Sequence, residues 1–539
     1  MLSHFVRKLR PQPSEPLRTV RSPGFVWYLR SGASELLGSA PDLAEWQKRG
    51  LATLVKRNFQ RSIWRVTLPG GTIYVKQCRA NSPRSWLREL VRPPKARLEF
   101  ENALALLSSG VGCTEPLAWG AGVGRWPGDS FIITREAAGA VPLDRFLEAP
   151  LTPQRRREIA KAFGRFLGAM HRAEFLHPDP HPGNFLLAEL DGGEQKFLLL
   201  DVHALKLTST VAERIENLVI LNRWFQMRAT RSDRAHFWQA YGAANGDATG
   251  IEVATRKSNL RFWANRLGRY LGDNREFRKI SGAGVCGHAV RDLPDEVLSK
   301  WIADPDAAFA AADAKLLKDS PSSTVALRTC GSQSYIFKRF RRGSVWTGLK
   351  NRLRRSSALR SWIAGQSLRD RGLPTARPLA ILHRIRAGLP REGYLIFEFV
   401  AGAVGLPEAM AMATRERRRE LLDQLGRLIR DLHDRGVSHR DLKAPNILVA
   451  DGEPILIDLV GVRLGLRVPD RERVRNLARL NASSLVSPAI TNADRLRLLR
   501  AYRSWIARPT GDWKAHWRAI AAETSAKVEK NRRSGRVLA

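Results

Sequence analysis

The sequence predicts an α+β protein in which one mixed domain occurs twice in tandem. The first observation is a set of identical residues that recur at a constant spacing of 262 positions. They are Lys76 and Lys338, Gly110 and Gly372, Asp179 and Asp441, and Asn184 and Asn446. The second observation is that each set runs from short β-favouring segments into an apolar stripe with helical spacing, at 159–170 and at 421–432. A constant spacing over such a distance indicates an internal duplication.

The length, charge and cysteine content limit the class of protein. A chain of 539 residues is too long for one hydrophobic core. Its net charge of +38 favours polyanionic partners such as nucleic acid, anionic lipid headgroups or phosphorylated glycans. Four cysteines without a CxxC pair argue against a zinc site or a disulfide framework and fit a reducing compartment. With no signal-peptide core and no apolar run of about 18 residues, any membrane contact is expected to be peripheral.

The repeat divides the chain into four parts. An N-terminal segment, 1–19, precedes the first domain, 20–250, which we call copy one. The second domain, 256–516, is called copy two, and 517–539 is expected to be a basic C-terminal tail exposed to solvent. The small, polar and Gly-rich stretch 241–250 is the linker candidate.

A β-hairpin in copy two carries candidate metal ligands. Two β-favouring runs, 447–449 and 455–457, flank an Asp-Gly turn signal. Folding this hairpin symmetrically about Gly452 places Asn446 opposite Asp458. An amide oxygen and a carboxylate at the open end of a hairpin form a half-site for Mg²⁺.

Copy one repeats this arrangement. Asn184 and Asp201 are symmetric about the glycine pair 192–193. In both copies an aspartate precedes the hairpin, Asp441 in copy two and Asp179 in copy one. Such an aspartate can accept a proton from an attacking hydroxyl group.

These motifs together resemble those of the protein-kinase-like superfamily. The stretch "HRDLKAPN", 439–446, is similar to its catalytic loop, and "DLVG" and "DVHA" stand at its DFG position. The resemblance implies two bilobal domains, each with a β-rich N-lobe, a helical C-lobe and ATP in the cleft between them. The roles that it implies are catalytic base for Asp441 and Asp179, Mg²⁺ ligand for Asn446, Asp458, Asn184 and Asp201, and phosphate binding for Lys338 and Lys76.

The same resemblance implies partners and a hinge. Glu99 is the candidate partner of Lys76, whereas Ser361 stands at the aligned position in copy two, so Lys338 is expected to need another partner. Glu136 and Glu398 fall where the hinge between the lobes is expected.

Two departures from the superfamily pattern affect nucleotide binding. Neither copy has GxGxxG before its lysine, so main-chain N–H groups and nearby hydroxyl groups are expected to cover the phosphates. These hydroxyl groups are Ser62 in copy one and Ser322, Ser323 and Thr324 in copy two. Copy two has Lys443 two positions after the candidate base, a candidate contact for the γ-phosphate, where copy one has His181.

The segments around the motifs indicate which class of molecule accepts the phosphoryl group. No APE motif follows Asp201 or Asp458, and the chain reaches the next predicted helix within about a dozen residues, which argues against a protein acceptor. The segments "SPSSTVA", "GLPTARPLA", "DLVGVRL" and "RNLARLN" resemble the bacterial lipopolysaccharide kinase family. That resemblance is strongest in copy two and implies an ATP- and Mg²⁺-dependent phosphotransferase acting on a hydroxyl of Kdo or heptose in the inner core.

Two other functions remain open at this point. The literal "HRDLKAPN" favours a Ser/Thr protein kinase. The missing glycine loop, Ser361 and the prolines 178 and 180 favour a pseudokinase pair, in which one or both copies only bind a nucleotide or a partner.

Basic segments with interspersed apolar residues predict where in the cell the protein is located. The stretch 338–360 carries nine basic residues among apolar ones, and 84–97 is a parallel in copy one. Each is typical of a segment that lies on an anionic lipid surface, or of an ordinary solvated Arg-rich connection. We expect a cytoplasmic protein at the inner face of the membrane, with nucleic acid disfavoured because no recognised DNA- or RNA-binding motif is evident.

Overall fold

The computed structural model describes residues 16–80, 83–124, 128–189, 193–282, 284–311, 313–341, 355–386, 389–484, 490–503 and 512–534. The chain divides into two compact units, Met1–Ser258 and Asn259–Ala539. Each unit has a seven-stranded antiparallel sheet followed by a three-stranded sheet and helices, and the second unit has an additional two-stranded sheet, which confirms the predicted α+β class with two like domains.

The N-lobe of copy one is an antiparallel sheet in the order β1-β2-β6-β7-β5-β4-β3. Its strands are β1 Arg18–Ser22, β2 Phe25–Leu29, β3 Ala52–Arg57, β4 Arg61–Leu68, β5 Gly71–Cys78, β6 Pro116–Gly122 and β7 Ser130–Arg135. The helices of this lobe are α1 Ala33–Leu37, α2 Leu43–Lys48, α3 Pro83–Val91 and α4 Lys95–Ser108. Lys76 lies on β5, between β4 and β7, so that its backbone is held on both sides.

The C-lobe of copy one is mainly helical. A small sheet contains β8 Val141–Pro142, β9 Phe185–Glu189 and β10 Gln195–Leu199. The helices are α5 Leu143–Phe146, α6 Pro153–Arg172, α7 Val211–Arg228, α8 Arg231–Tyr241 and α9 Asn245–Arg266. A short 3₁₀ turn at 182–184 precedes β9, and another at 202–204 follows β10, so both lie at the open end of the β9-β10 hairpin.

The N-lobe of copy two repeats this topology in the order β11-β12-β16-β17-β15-β14-β13. Its strands are β11 Phe277–Gly282, β12 Val285–Val290, β13 Lys315–Ser320, β14 Ser323–Cys330, β15 Gln333–Phe340, β16 Pro378–Arg386 and β17 Leu389–Glu398. Its helices are α10 Asp295–Ala303, α11 Ala307–Ala310 and α12 Ser357–Asp370.

The C-lobe of copy two also follows copy one. Its strands are β18 Val404–Gly405, β19 Val437–His439, β20 Ile447–Ala450, β21 Glu453–Leu456 and β22 Val462–Leu464. Its helices are α13 Leu406–Met412, α14 Arg415–Asp434, α15 Asp470–Ser484, α16 Asn492–Arg503 and α17 Trp513–Arg533.

Helices α6 and α14 form the centre of the two C-lobes. Each begins after a threonine, Thr152 or Thr414, whose side chain caps the first turn by accepting a main-chain N–H. The predicted apolar stripes pack into the hydrophobic core of each copy. A Cβ atom on Gly164 or Gly426 would lie 2.5 or 2.7 Å from a carbonyl oxygen of α8 or α16, respectively. These glycines therefore allow the neighbouring helix to approach closely.

The C-terminal segment differs from the prediction of a solvated basic tail. Residues 513–533 form helix α17, which places Ile520 and Thr524 in the core of copy two. Thr524 accepts a hydrogen bond from Asn481 of α15 at 3.1 Å. The tail prediction is wrong because it was based on the charge of the segment and overlooked the apolar face that this helix buries.

The region between the copies is partly helical. Helix α9 begins within the linker candidate 241–250 and contains the division between the two units. The boundaries 20–250 and 256–516 remain our proposal for the extent of each domain. Most of the basic stretch 338–360 lies outside the described residues. Among the described helices, none has the length and apolar character needed to cross a bilayer.

Candidate active site

The hairpin that carries the candidate metal ligands of copy two closes through a tight turn. Residues 451–452 have φ angles of 48° and 77° and connect β20 to β21. This register places Asn446 opposite Ile457, whose N–H donates to the Asn446 carbonyl oxygen at 3.0 Å. The prediction that Asn446 lies opposite Asp458 is therefore wrong by one residue, because the turn has two residues and is not centred on Gly452.

The residue after this position changes the direction of the chain. Asp458 and Asp201 have φ angles of 54° and 59°, in the left-handed region that non-glycine residues rarely adopt. Copy one has the same one-residue difference from the prediction, since Leu200 donates its N–H to the Asn184 carbonyl oxygen at 2.8 Å. A left-handed aspartate at the same place in both copies is typical of a constrained functional position.

Lys338 connects the N-lobe of copy two with this aspartate. Its Nζ lies 2.8 Å from Asp458 Oδ1. Burial acts to raise the pKa of the Asp458 carboxyl group, but the charge and hydrogen bond of Lys338 outweigh burial and hold the pKa below its ordinary value. Asp458 is therefore the partner that Lys338 has in place of a helical glutamate.

The catalytic-loop candidate of copy two is tied to the same aspartate through a histidine. His439 Nδ1 accepts the N–H of Asp441 at 3.1 Å, and its Nε2 lies 3.2 Å from the carbonyl oxygen of Asp458. Asn446 Nδ2 donates to the carbonyl oxygen of Asp441 at 2.9 Å and lies 3.3 Å from its Oδ2. Lys443 Nζ lies 3.7 Å from the same carboxylate. Burial lowers the pKa of His439, so the imidazole is neutral and can play both hydrogen-bonding roles.

The donor set of copy two fits a divalent cation that prefers oxygen. Because Asn446 uses Nδ2 as a donor, its Oδ1 remains as a ligand atom. Asp458 uses Oδ1 for Lys338, and its Oδ2 has no hydrogen-bond partner among the described residues. One amide oxygen and one carboxylate oxygen suit a Mg²⁺ ion that completes its shell with phosphate and water.

Copy one holds its aspartate differently. Lys76 Nζ donates to Glu99 Oε1 and Oε2 at 2.9 and 2.7 Å and also donates to Asp201. Arg61 Nη1 lies 3.0 and 2.9 Å from the two carboxylate oxygens of Asp201, and His203 Nδ1 lies 3.3 Å from Oδ1. Burial acts to raise the pKa of Asp201, but His203, Lys76 and Arg61 together hold it far below its ordinary value.

This donor set does not fit Mg²⁺. Ligand-type atoms of Glu99, Asp201 and His203 lie within 4.8 Å of one another, which is the spacing of a possible metal cluster. However, both oxygens of Asp201 already accept from cationic nitrogens, and both oxygens of Glu99 accept from Lys76. A divalent cation would have to displace two positive side chains to reach its oxygen ligands.

The catalytic-loop candidate of copy one is held by a similar set of main-chain contacts. His177 Nδ1 accepts the N–H of Asp179 at 3.2 Å, and Nε2 lies 3.1 Å from the Leu200 carbonyl oxygen. Asn184 Nδ2 donates to the carbonyl oxygen of Asp179 at 2.8 Å. His181 accepts the N–H of the glycine two positions later, which completes its own turn. The two copies thus share most main-chain contacts of this loop, but the histidine contacts the residue before the hairpin aspartate in copy one and the aspartate itself in copy two.

Ser361 does not replace the missing glutamate of copy two. The residue is buried on α12, and its Oγ has no hydrogen-bond partner within the described part of the chain. Glu99, at the aligned position, is buried on α4 and holds Lys76.

The hydroxyl groups predicted to cover the phosphates lie in different environments. Ser62 is fully buried and its Oγ accepts a hydrogen bond from Arg79 at 2.9 Å. Thr324 is also buried, and its Oγ1 donates to a carboxylate of the same hairpin at 2.9 Å. Ser323 is buried as well, whereas Ser322 is exposed at the turn between β13 and β14. Only Ser322 has the exposure that a direct phosphate contact requires.

The two hinge candidates lie at the ends of strands. Glu136 directly follows β7, and Glu398 is the last residue of β17. Glu136 donates its N–H to Thr72 and accepts from Arg65 at 2.7 and 2.9 Å, so its side chain is already paired. Glu398 ends β17, and its exposed side chain is accompanied by a main-chain hydrogen bond to Arg377 at 2.9 Å. The main chain at both positions is therefore held to the N-lobe.

A buried polar network behind the catalytic loop was not among the predictions. His433 Nδ1 lies 2.9 Å from the hydroxyl group of Tyr502, and its Nε2 lies 3.4 Å from Asn476 Oδ1. The same Asn476 oxygen accepts the N–H of His439 at 2.8 Å. The equivalent residues in copy one are His171, Tyr241 and Asn217. The recurrence of a histidine at 171 and 433 was the sequence signal that could have found this network.

These features define a class of protein. A cleft lysine of a β-rich lobe paired with an aspartate of a helical lobe, beside an HxD loop and a hairpin, is the arrangement of a protein-kinase-like domain, present here twice. The model of the Lipopolysaccharide kinase (Kdo/WaaP) family matches residues 43–241 and 320–502. The chain belongs to this family, and it is a kinase. The resemblance seen in the sequence is thereby confirmed.

Curated relatives and a solved structure carry related names. The chain is 32% identical over 182 residues to a 3-deoxy-D-manno-octulosonic acid kinase of Xylella fastidiosa (strain 9a5c), covering 31% of this chain and 70% of the relative. It is 27% identical over 218 residues to the lipopolysaccharide core heptose(I) kinase WaaP of Pseudomonas aeruginosa, covering 37% and 80%. A solved structure of WaaP in complex with acyl carrier protein aligns with a TM-score of 0.34 and 22% identity, over 44% of this chain and 97% of that one.

Proposed function

We propose that copy two transfers the γ-phosphoryl group of ATP to a hydroxyl group of Kdo or heptose in the lipopolysaccharide inner core. The observation that carries this proposal is the pair Lys338–Asp458, 2.8 Å apart, beside the linked residues Asp441 and Asn446. Family membership and relatives named for a Kdo-type sugar and for core heptose support the choice of acceptor.

The described side chains suggest how each step would occur. Lys338 would bind the α- and β-phosphates, and Asp441 would accept the proton of the attacking sugar hydroxyl group. As the new bond from the sugar oxygen to the γ-phosphorus forms, the bond to the β,γ-bridging oxygen breaks and ADP leaves. Asn446 and Asp458 would hold Mg²⁺, which when bound neutralises charge on the β- and γ-phosphates.

Neighbouring groups would position the base and the γ-phosphate. His439 joins the Asp441 N–H to the Asp458 carbonyl oxygen, so the base and the metal ligand share one rigid frame. Lys443, 3.7 Å from the Asp441 carboxylate, would neutralise the transferring phosphoryl group. Much of the rate enhancement would then come from positioning and charge neutralisation.

An assay on purified full-length protein tests this function. Rough lipopolysaccharide that ends in the inner core would be incubated with Mg·ATP, and the product analysed by mass spectrometry for an added phosphate on Kdo or heptose. We expect phosphate transfer by the parental protein and its loss in Asp458→Asn. Phosphorylation of peptides but not of inner-core sugar would instead favour a Ser/Thr protein kinase, the alternative suggested by "HRDLKAPN".

We also propose a peripheral location at the cytoplasmic face of the inner membrane. Helix α3 of copy one has exposed apolar side chains on one face, at Trp86, Leu87, Leu90 and Val91. The sequence of the same segment carries Arg84, Arg88 and Arg92. An exposed apolar helix face in an Arg-rich segment is typical of a helix that lies on anionic lipid, where a glycolipid acceptor would be reached.

Vesicle binding tests this location. Full-length protein is expected to sediment with phosphatidylglycerol-containing vesicles more than with phosphatidylcholine vesicles. The double change Leu87→Glu and Val91→Glu should reduce this binding, because it places two charges on the exposed face. Val211→Glu is a matched control, since Val211 is 63% exposed, as is Leu87. Equal binding of the double variant and the control would exclude α3 as the contact.

A further inference from the structure

A guanidinium group of copy one contacts both carboxylate oxygens of Asp201, the candidate metal ligand. Arg61 Nη1 lies 3.0 Å from Oδ1 and 2.9 Å from Oδ2 of Asp201, so one nitrogen contacts both carboxylate oxygens. Lys76 and His203 contact the same carboxylate. A cation between two carboxylate oxygens is the geometry of a chelated ion, and here the protein supplies that cation itself.

The position of Arg61 in the fold explains why it reaches this aspartate. It begins β4, directly after the turn that connects β3 to β4, at the tip of the hairpin that covers the cleft. In copy two the residue in the same register, two positions before the residue that pairs with the cleft lysine, is Ser323. Serine carries no charge, so the arrangement of copy one cannot form in copy two.

The charges of this cluster are balanced without a metal. Lys76 and Arg61 carry two positive charges, and Glu99 and Asp201 carry two negative charges. Burial acts to lower the pKa of Arg61, but hydrogen bonding and charge from Asp201 raise it above its ordinary value. A divalent cation would add two positive charges beside two partly buried cations and would find both aspartate oxygens occupied.

We propose that copy one binds the phosphates of a nucleoside triphosphate without a divalent cation, with Arg61 in place of the metal, and does not turn over. A guanidinium group donates to phosphate oxygens through paired N–H groups, and Lys76 provides the second cation. Copy one also has His181 where copy two has Lys443, so it lacks the second candidate for γ-phosphate neutralisation. The absence of turnover rests on the proposed function, in which copy two is the catalytic site, whereas the metal-free binding does not.

Binding stoichiometry tests the proposal on the full chain. A labelled non-hydrolysable ATP analogue would be titrated by equilibrium dialysis in excess magnesium and in excess EDTA. We expect two equivalents bound with magnesium and one with EDTA. Lys338→Ala should remove the magnesium-dependent equivalent and leave the EDTA-resistant one. Absence of binding in EDTA would overturn the proposal.

Exchanging the residues between the copies identifies the group responsible. Arg61→Ser, which introduces the residue of copy two, should weaken binding in EDTA by roughly 10- to 100-fold, as expected for the loss of charge-assisted hydrogen bonds. Arg57→Ser is the matched control, because Arg57 is exposed on β3 of the same hairpin. Unchanged EDTA-resistant binding in Arg61→Ser would overturn the proposal.

A reciprocal variant keeps the proposal testable if Arg61→Ser does not fold. Ser323→Arg should give copy two EDTA-resistant binding and lower its sugar phosphorylation, and magnesium-dependent binding with unchanged turnover in this variant would count against the proposal. Failure of every protein to phosphorylate inner-core sugar would count against the proposed function, while the dialysis results would still decide the role of Arg61.

Discussion

Lys338 and Asp458 form an ion pair of 2.8 Å between residues 120 positions apart. Copy one forms the same lysine–aspartate pair between Lys76 and Asp201. The lysine–glutamate pair, in contrast, occurs only in copy one among the described residues, through Glu99. The contact common to both copies is therefore the one that joins the β-rich lobe directly to the hairpin of the helical lobe.

The first prediction concerns this pair in copy two. Lys338→Met and Asp458→Asn are each expected to lower kcat/KM for sugar phosphorylation by about 100-fold or more, because each removes charge from the phosphate site. The double variant should lose little more than either single variant, since the two residues act as a unit. Steady-state kinetics with inner-core lipopolysaccharide measure this loss.

Asp451→Asn is the control for Asp458→Asn. Asp451 has the same left-handed conformation, with a φ of 48°, at the far end of the same hairpin, and it is exposed. Asparagine tolerates this conformation, so activity should stay near the parental value. A comparable loss in both variants would mean that hairpin strain, and not the ion pair, explains the effect.

The second prediction concerns the candidate base. Asp441→Asn should lower kcat by roughly 100- to 10,000-fold, because an amide cannot accept the proton of the sugar hydroxyl group. The fold should persist, since the main-chain contacts of this residue with His439 and Asn446 do not use its carboxylate. Circular dichroism checks the fold. If protein carrying Asp441→Asn worked at the parental rate, the assignment of Asp441 as the base would be wrong.

The third prediction is a pH dependence of stability. Burial lowers the pKa of His433 from an ordinary 6.5 to about 3. Below pH 6.5 the unfolded chain therefore binds a proton that the folded chain does not bind until about pH 3. The free energy of unfolding consequently keeps its full value above pH 6.5 and falls as the pH is lowered from 6.5 to about 3. At about pH 5 the loss from this residue is about 2 kcal/mol.

Chemical denaturation at neutral pH and at about pH 5 measures this dependence. His433→Gln should be less stable than the parental protein at neutral pH, because it leaves Tyr502 and Asn476 without their partner. Its further decline towards pH 5 should be smaller than the parental decline. His236→Gln is the control, because His236 is a half-buried histidine on α8 of copy one that lies outside this network. If the stability of His433→Gln fell towards pH 5 by as much as that of the parental protein, other groups would be responsible for the acid sensitivity.

The fourth prediction concerns helix packing in copy two. Gly426→Ala should destabilise the protein by about 1–3 kcal/mol, because its Cβ would lie 2.7 Å from both the Leu498 carbonyl oxygen and the Ala501 Cβ. Gly405→Ala is the control, since the nearest atom to its added Cβ is 3.7 Å away and its φ is −63°. Urea denaturation followed by circular dichroism compares the two. Equal stability of the variants would show that α16 can move away from α14.

Sequence periodicity and spacing were sufficient for the repeat, the α+β class and the main motif positions. Residues such as Lys76 and Lys338 are recognisable because their strand context and constant spacing are local properties. The hairpin was also predictable from its Asp-Gly signal, but its register was not, because one residue in the turn changes every pairing along the strands.

Tertiary structure alone decided which charges meet. Arg61 and Asp201 are 140 positions apart, and nothing local to either residue indicates their contact. The partner of Lys338 could likewise not be predicted from its local sequence. The apolar face of α17 was not predicted either, because the basic composition of this segment indicated a solvated tail. The physical reason is that local patterns determine which face of an element is apolar and where turns occur, whereas an ion pair depends on how two lobes pack around a cleft. The sequence alone therefore determined two kinase-like domains, and only the packing distinguished a cleft with an open metal ligand from one filled by an arginine.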